Sequence, residues 1–343
     1  MQSSARMGGA AVSVSGAANR LLPTFSIIAN ELEGVRALIE RETSDCSEPV
    51  RGLVAQSIAG GGKMVRPGLV LLSGLVCGRV TEKHIRAAAI MEMIHNATLL
   101  HDDVVDEGKS RRGVPTLNSL RGNESAVLLG DFLLSRVFRL CVGLDRRTVE
   151  IIASAVVRTC EGELRQVAQR GDREISESEY IEIIDEKSAA LFSGACAAGA
   201  ILAGAGEPEV RMLADYGRNA GIAFQIADDV LDLVGDQDKT GKAVGNDVDN
   251  SKLTLPIIHL LKTAGEADRE VVRRILAAQG ENKRERRHRE LTEKLGSCGS
   301  IGYAQRRAHE FSEQAIAAIK GFNESEGKNA LIGLSRFASQ RAV

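Results

Sequence analysis

Tryptophan is absent, and Phe, Tyr and Trp together make up only 3% of the 343 residues. A platform that stacks nucleobases needs more rings than that. An excess of either charge is missing as well. Lys and Arg number 44 against 46 Asp and Glu, which leaves a net charge of -2. That balance excludes a basic nucleic-acid coat and a long acidic tail, so any ion site must be local. Proline is scarce, six in all, and no segment sustains the alternation of a half-buried strand. The six cysteines form no C-x-x-C pair and none stands at zinc-ligand spacing with a histidine, so they read as reduced thiols of a cytoplasmic protein. Residues 1–20 lack the continuous apolar core of a signal peptide and are rich in Ser, Ala and Gly. They read as a disordered leader, with an organelle transit peptide as the other reading, ahead of one helical domain over residues 21–343.

What is present is helical periodicity almost throughout. The pattern predicts an all-α, single-domain bundle of roughly ten or more helices. Helices are expected near Arg20–Arg41 and Pro49–Ile58, and another after Arg66-Pro67. Thr81 is placed to cap a long helix from Glu82 to about Glu107, with Gly108 stopping it. Asn123 should cap the next, through Leu140, and Thr148 should open the one that holds Glu161 and Glu163. Ser176 with Glu179 reads as a capping box for a helix that runs through Lys187 into an Ala/Gly stretch. That stretch, Ser188–Gly206, carries no charge over 19 residues. It matches bilayer length, yet its small side chains suit a buried central helix better than a membrane span. Pro208 fits the first turn of a helix to about Val234. Five more are expected, near Pro256–Leu261, Asp268–Ala278, Lys283–Leu295, Gly302–Lys320 and Lys328–Gln340.

One pattern occurs twice. His101–Asp106 reads H-D-D-V-V-D and Ala227–Asp232 reads A-D-D-V-L-D. On a helix, residues four apart share a face and the next residue is displaced by about 100°. Asp102 and Asp106 therefore project together with Asp103 beside them, and Asp228, Asp229 and Asp232 repeat the geometry. Three carboxylates near a helix C-terminus repel one another and face the negative end of the dipole. A cation would relieve both costs. Oxygen-only ligands favour a hard ion, and Mg²⁺ commonly keeps waters and shares a phosphate.

A phosphate partner calls for cations nearby. Gly60-Gly61-Gly62-Lys63-Met64-Val65-Arg66-Pro67 places two after a glycine turn, without the strand or spacing of a nucleotide P-loop. Arg111-Arg112-Gly113 comes after the first triplet, Lys187 sits on the capped helix, and Lys242 and Lys252 come after the second triplet. His95 precedes Asp102 by two helical turns and can face the same cavity. His101 reads as structural.

With these pieces the chain resembles the trans-isoprenyl (polyprenyl) diphosphate synthases, the all-helical prenyltransferases. The likeness runs from about Gly60 to Pro256 and more loosely to the end. It is carried by both D-D-x-x-D triplets, G-G-K-x-x-R-P and the trailing R-R-G. Further matching pieces are Glu92-x-x-His95, Gly130-Asp131, Glu161-Gly162-Glu163, Lys187-Ser188, Phe224-Gln225, and Gly241-Lys242 through Lys252-x-Thr254-x-Pro256. The flank I-H-N-A-T-L-L before the first triplet is most similar to the octaprenyl-type, long-chain branch. Met64 and Val65 stand where the family usually has a basic or aliphatic pair, and Ser188 where it often has Thr.

The resemblance implies roles. Asp102, Asp103, Asp106, Asp228, Asp229 and Asp232 would bind about three Mg²⁺ across an allylic diphosphate. Arg111, Lys187, Ser188, Gln225, Lys242 and Lys252 would touch that diphosphate, with Lys187, Ser188, Gln225 and Asp228 as the catalytic set. Lys63, Arg66, His95 and Arg112 would hold isopentenyl diphosphate. The reaction implied is ionisation of the allylic C–O bond, attack by the alkene of isopentenyl diphosphate and loss of a proton, to an all-trans product. Such chemistry needs charge stabilisation and dryness rather than a protein nucleophile. A homodimer is implied as well, and so is a helix bundle arranged around a central cavity. Ala97 and Thr98 lie about 6–7.5 Å before the first triplet along the helix. Both are small, so a growing tail would not be blocked there, and a long-chain product, as in quinone side chains, is expected. Shorter-chain farnesyl or geranylgeranyl synthases, terpene cyclases and a non-catalytic subunit of a two-part synthase are the other readings. Cyclases usually lack the second aspartate triplet and the Lys63/Arg66 site, and non-catalytic subunits lose acidic residues.

Overall fold

The structure, a computed structural model, describes residues 24–58, 62–111, 113–172, 174–234, 245–249, 252–277 and 284–340. The leader, Gly60, Gly61, Arg112 and Lys242 lie outside the described residues, as do the expected helix ends at Arg20, Ala278 and Lys283. The described residues are helical almost throughout. After a 3-10 turn at Ser26–Ile28 come α1 (Ala29–Ser44), α2 (Glu48–Ile58), α3 (Val65–Val76) and α4 (Glu82–Val105). The short α5 (Leu117–Arg121) leads into α6 (Asn123–Cys141) and α7 (Arg146–Ala168). Next are α8 (Glu177–Ile184), α9 (Ala190–Ala203) and α10 (Glu207–Val234). The last elements are α11 (Asn246–Asp249), α12 (Leu255–Thr263), α13 (Glu266–Ala277), α14 (Arg284–Ser297), α15 (Ser300–Ala318) and α16 (Glu326–Gln340).

Several helix ends differ from expectation, each for a local reason. Asn123 is the first helical residue of α6 rather than its cap, because Gly122 takes φ 86° just before it. Asp145, not Thr148, caps α7, its carboxylate accepting from the Thr148 amide at 3.0 Å and the Thr148 hydroxyl at 2.8 Å. At the end of α4 the left-handed residue is Glu107, with φ 50°, one position before Gly108. A two-residue antiparallel ribbon, Ser110–Arg111 with Val114–Pro115, is too short to leave an alternating pattern. The expected unbroken helix through Lys187 is interrupted by a π turn at Asp185–Ala189. The Ser176 capping box does form, with Glu179 returning a carboxylate to the Ser176 amide at 2.8 Å.

The Ala/Gly stretch is the buried axis of the fold. Helix α9 packs against α3, α4, α7 and α10. Its small residues are what permit this: a β-carbon on Gly199 would collide with the Val70 carbonyl of α3. His84 strengthens the seam. Its Nδ1 accepts from the Thr81 amide at 3.1 Å, so Nε2 is the nitrogen left to donate to the Gly199 carbonyl at 3.0 Å. Among the described residues no helix is long and apolar enough to cross a membrane. One apolar core joins α3, α4, α6 and α9, and includes Ala97 and Leu100 below the first triplet. A second, with Ile226, Ala227, Val230 and Phe311, lies below the second triplet.

Candidate active site

The first triplet ends α4. Asp103 is buried, and its Oδ1 accepts from Arg111 Nε at 3.0 Å and Nη2 at 2.7 Å. The ribbon turns the chain back so that Arg111 reaches it. Asp106 takes Lys252 Nζ on Oδ2 at 2.6 Å and the Arg170 guanidinium on Oδ1. Arg170 also donates to the Val105 carbonyl at 3.2 Å, and Asn118 to the Asp103 carbonyl at 3.0 Å. The open carbonyls at the end of α4 are thereby partnered. Asp102 has a different setting. Burial pushes its carboxyl up to about 6, against the pull of Lys187, with Glu163 and Asp106 adding to the rise. A carboxylate so crowded favours a nearby cation.

The second triplet lies near the end of α10. Asp229 is buried and accepts from the Tyr180 hydroxyl at 2.6 Å and from Gln225 Nε2 at 2.7 Å. Burial raises its carboxyl well above the usual range, and Asp247 and Asp228 add to that. Asp232 accepts from the Asp247 amide at 3.0 Å. Gln225 is fixed at both ends, since its Oε1 accepts from the Ser188 hydroxyl at 2.7 Å.

Beside the second triplet lies a cavity of about 90 Å³. Lys187, Ser188, Gln225, Asp229, Lys252 and Arg170 line it, with Ile175, Ile183, Ile184 and Leu253 as apolar wall. Lys187 pairs with Glu163 and donates to Gln166 Oε1 at 2.8 Å. Burial alone would lower its ammonium, but Asp102 and Glu163 outweigh that and hold it above its ordinary value. The Glu161-Gly162-Glu163 motif has a steric basis here. A β-carbon on Gly162 would collide with the Lys187 amide, so only glycine lets the π turn approach α7.

The remaining expected residues lie elsewhere. Lys63 and Arg66 flank Met64, which is buried and takes the left-handed φ of 52° as the N-cap of α3. The Arg66 guanidinium stands 5.0 Å from the Phe192 ring centre, and Phe192 is 5.5 Å from Phe224, the neighbour of Gln225. Glu92 packs its buried carboxylate against Gly62. None of Lys63, Arg66 and His95 lines the described cavity. Ala97 is fully buried on α4, and Thr98 donates its hydroxyl to the His95 carbonyl at 2.9 Å. His101 turns from the cavity to α6, its Nε2 3.1 Å from the Val127 carbonyl. A side chain on Gly130 would collide with that ring, which accounts for Gly130 beside Asp131. Sequence reasoning missed Tyr180, Gln166, Arg170 and Asp247. Tyr180 lies seven residues before Lys187, two turns of an expected helix, and that spacing was the available signal. Asp247 comes after a stretch without periodicity and left none.

Residues 48–295 match the family model described as polyprenyl synthetase. The chain belongs to this family of prenyltransferases. The octaprenyl diphosphate synthase of Escherichia coli (strain K12) is 36% identical over 318 residues, covering 92% of this chain and 97% of that protein. The geranylgeranyl pyrophosphate synthase of Geoglobus acetivorans is 34% identical over 287 residues, covering 82% and 87%. Among solved structures, the polyprenyl synthase from Caulobacter crescentus CB15 complexed with calcium and isoprenyl diphosphate superposes with a TM-score of 0.89. It is 33% identical, with 97% of this chain and 100% of that chain covered. The all-α fold is that of these enzymes.

Proposed function

We propose that the protein is a Mg²⁺-dependent synthase of all-trans, long-chain polyprenyl diphosphates, joining isopentenyl diphosphate to an allylic diphosphate in the cytoplasm. One observation carries this reading. Lys252 bonds to Asp106 of the first triplet and lines the same cavity as Asp229 of the second, so one lysine ties the first triplet to the hollow beside the second.

The donor set fits a hard divalent cation. Among the described residues no three His, Cys or carboxylate groups converge tightly enough to enclose an ion alone. Oxygen ligands that leave room for water and phosphate match magnesium better than a closed protein cage would. Asp103 is held by Arg111, and Asp229 by Tyr180 and Gln225. Asp102, Asp103 and Asp106 at the end of α4 and Asp228, Asp229 and Asp232 from α10 would hold the metal together in this proposal. When bound, magnesium offsets charge that builds on the leaving diphosphate.

The chain's own groups supply the rest. Lys187, Lys252 and Arg111 present cations to the allylic diphosphate, and Ser188 and Gln225 hold each other in one orientation beside it. Lys63, Arg66 and His95 take the diphosphate of isopentenyl diphosphate, with Phe192 steadying the Arg66 guanidinium. The isoleucine wall keeps water from the allylic cation. The departing diphosphate takes the final proton, so no protein base is required.

Incubating the purified chain with Mg²⁺, farnesyl diphosphate and isopentenyl diphosphate should give products beyond four isoprene units by mass spectrometry. No product at all would overturn the reading, and a four-unit product would move the chain to the geranylgeranyl class. Ala97→Phe should shorten the product, and an unchanged length would remove Ala97 as a gauge. The homodimer is part of the proposal, because α6 and α7 leave Leu128, Phe138, Val157 and Leu164 more than half exposed. A monomer by light scattering would contradict it.

A further inference from the structure

Lys187 and Ser188 do not sit on a regular helix. They sit in the π turn at Asp185–Ala189, between α8 and α9. Wide turns of this kind are uncommon and persist where surrounding contacts over-determine them. The contacts here converge on Asp185, the first residue of the turn. Its Oδ2 accepts from Arg158 of α7 at 3.1 Å, and its Oδ1 from Arg218 of α10 at 2.9 Å. The acid is inside, with its side chain 13% exposed, while the two arginines are at the rim, 40% and 44% exposed.

The same two helices receive the next side chains. Lys187 meets Glu163 and Gln166 of α7, and Ser188 meets Gln225 of α10. One carboxylate thus fixes the turn against both walls of the groove into which Lys187 and Ser188 must point. Glu186, the second residue of the turn, accepts from Arg165 of α7 at 3.1 Å, and Arg165 also donates to Glu182 of α8 at 3.2 Å. Asp185 faces the cavity with neither oxygen and has both bonded already, so it is not itself a ligand for substrate.

We propose that Asp185, clamped by Arg158 and Arg218, is a positioning residue that sets the π turn and so aims Lys187 and Ser188 at the allylic diphosphate. This rests on the diphosphate role proposed above for those two residues. A clamp of this kind acts on one substrate and not on the other, because Lys63 precedes α3, Arg66 is on α3 and His95 is on α4, none of them in the turn. That asymmetry separates positioning from general support of the fold.

The experiment compares the purified wild-type chain with Asp185→Asn, Arg218→Gln and Gly162→Ala. Steady-state kinetics are read for each substrate, inorganic pyrophosphate binding with Mg²⁺ by calorimetry, and Tm by calorimetric scan. In Asp185→Asn the KM for the allylic diphosphate should rise and kcat fall, each on the order of 10-fold, as small misplacements of binding groups do. The KM for isopentenyl diphosphate should stay within about 2-fold, and pyrophosphate affinity should fall with the allylic KM. Gly162→Ala, which presses on the turn from the other side, should give the same split. Arg218→Gln should be milder, since Arg158 remains. The proposal is overturned if both KM values move together in step with Tm, or if neither moves. Should Asp185→Asn fail to fold, Arg218→Gln and Gly162→Ala decide by the same criterion. Should the wild-type chain make no prenyl product, the synthase reading fails, and the clamp is then judged by pyrophosphate binding alone. Equal affinity in wild type and variants would dismiss it.

Discussion

The two aspartate triplets are written alike and built differently. Around the first, the partners are cations: Arg111 on Asp103, and Arg170 and Lys252 on Asp106. In the second, Asp229 accepts from neutral donors, the Tyr180 hydroxyl and the Gln225 amide, and Asp232 accepts from the Asp247 backbone. A cation offsets a carboxylate's charge, whereas a neutral donor only orients it. One five-residue pattern thus gives Asp103 and Asp106 cationic partners and Asp229 neutral ones. Part of the difference arises in the segments just C-terminal to each triplet. A ribbon returns Arg111 to the first, while Asp247 adds a further acid to the second.

The largest effect that tests this contrast is expected at Asp102, the one member of the first triplet crowded by Glu163 and Asp106. Asp102→Asn should lower kcat by about 10³-fold, as loss of a charge-stabilising group at a reacting centre does. A loss below tenfold would place the chemistry on the second triplet alone. Lys252→Ala comes next. It unbalances Asp106 and removes a cavity cation, so kcat/KM for the allylic diphosphate should fall about 10–100-fold, while isopentenyl diphosphate saturates as before. Similar losses for both substrates would mean that Lys252 serves the fold rather than the ligand.

Tyr180→Phe probes the neutral side. A buried carboxylate loses one of two donors, which should cost about 1–3 kcal/mol in urea unfolding. If Tyr180→Phe left stability intact, Asp229 would have to be protonated or hydrated in the native state. The smallest effect belongs to a control distant from both triplets. Burial holds His84 below the ordinary histidine value of 6.5. Below that pH the unfolded chain takes up a proton that the folded chain refuses, so stability falls as the solution is acidified. The slope from this group is no more than about 1.4 kcal/mol per pH unit. His84→Gln should flatten it between pH 6.5 and 5, and an unchanged slope would assign acid sensitivity to other groups.

Much of the fold is readable from the chain, because helices announce themselves by period and by caps. The Ser176–Glu179 box and Thr81 stand where local chemistry puts them, and the Ala/Gly composition of α9 points to a tightly packed axis. The helix ends that moved did so by one to three residues, where Gly122, Asp145 and Glu107 compete with the residues that composition favours. The triplets and Lys187 are legible as charges on expected faces. Their pairings are not. Arg170 bonding to Asp106 joins the ends of two helices 64 residues apart, and no local pattern encodes such a distance. The π turn is hidden for a related reason. Its cause is Asp185 between Arg158 and Arg218, a tertiary contact that overrides the α-helical preference of its own residues.

The bond between Lys252 and Asp106 spans 146 positions of the chain. During synthesis the end of α4 leaves the ribosome long before its ammonium partner exists. A fragment stopping short of residue 252 would carry that carboxylate with Arg170 alone, and would lack α12 and the helices after it. Closing so long a loop comes late, because its entropy must be lost before the contact returns anything. Full pairing of the carboxylate that ends α4 is therefore a late event, open only to chains made past residue 252.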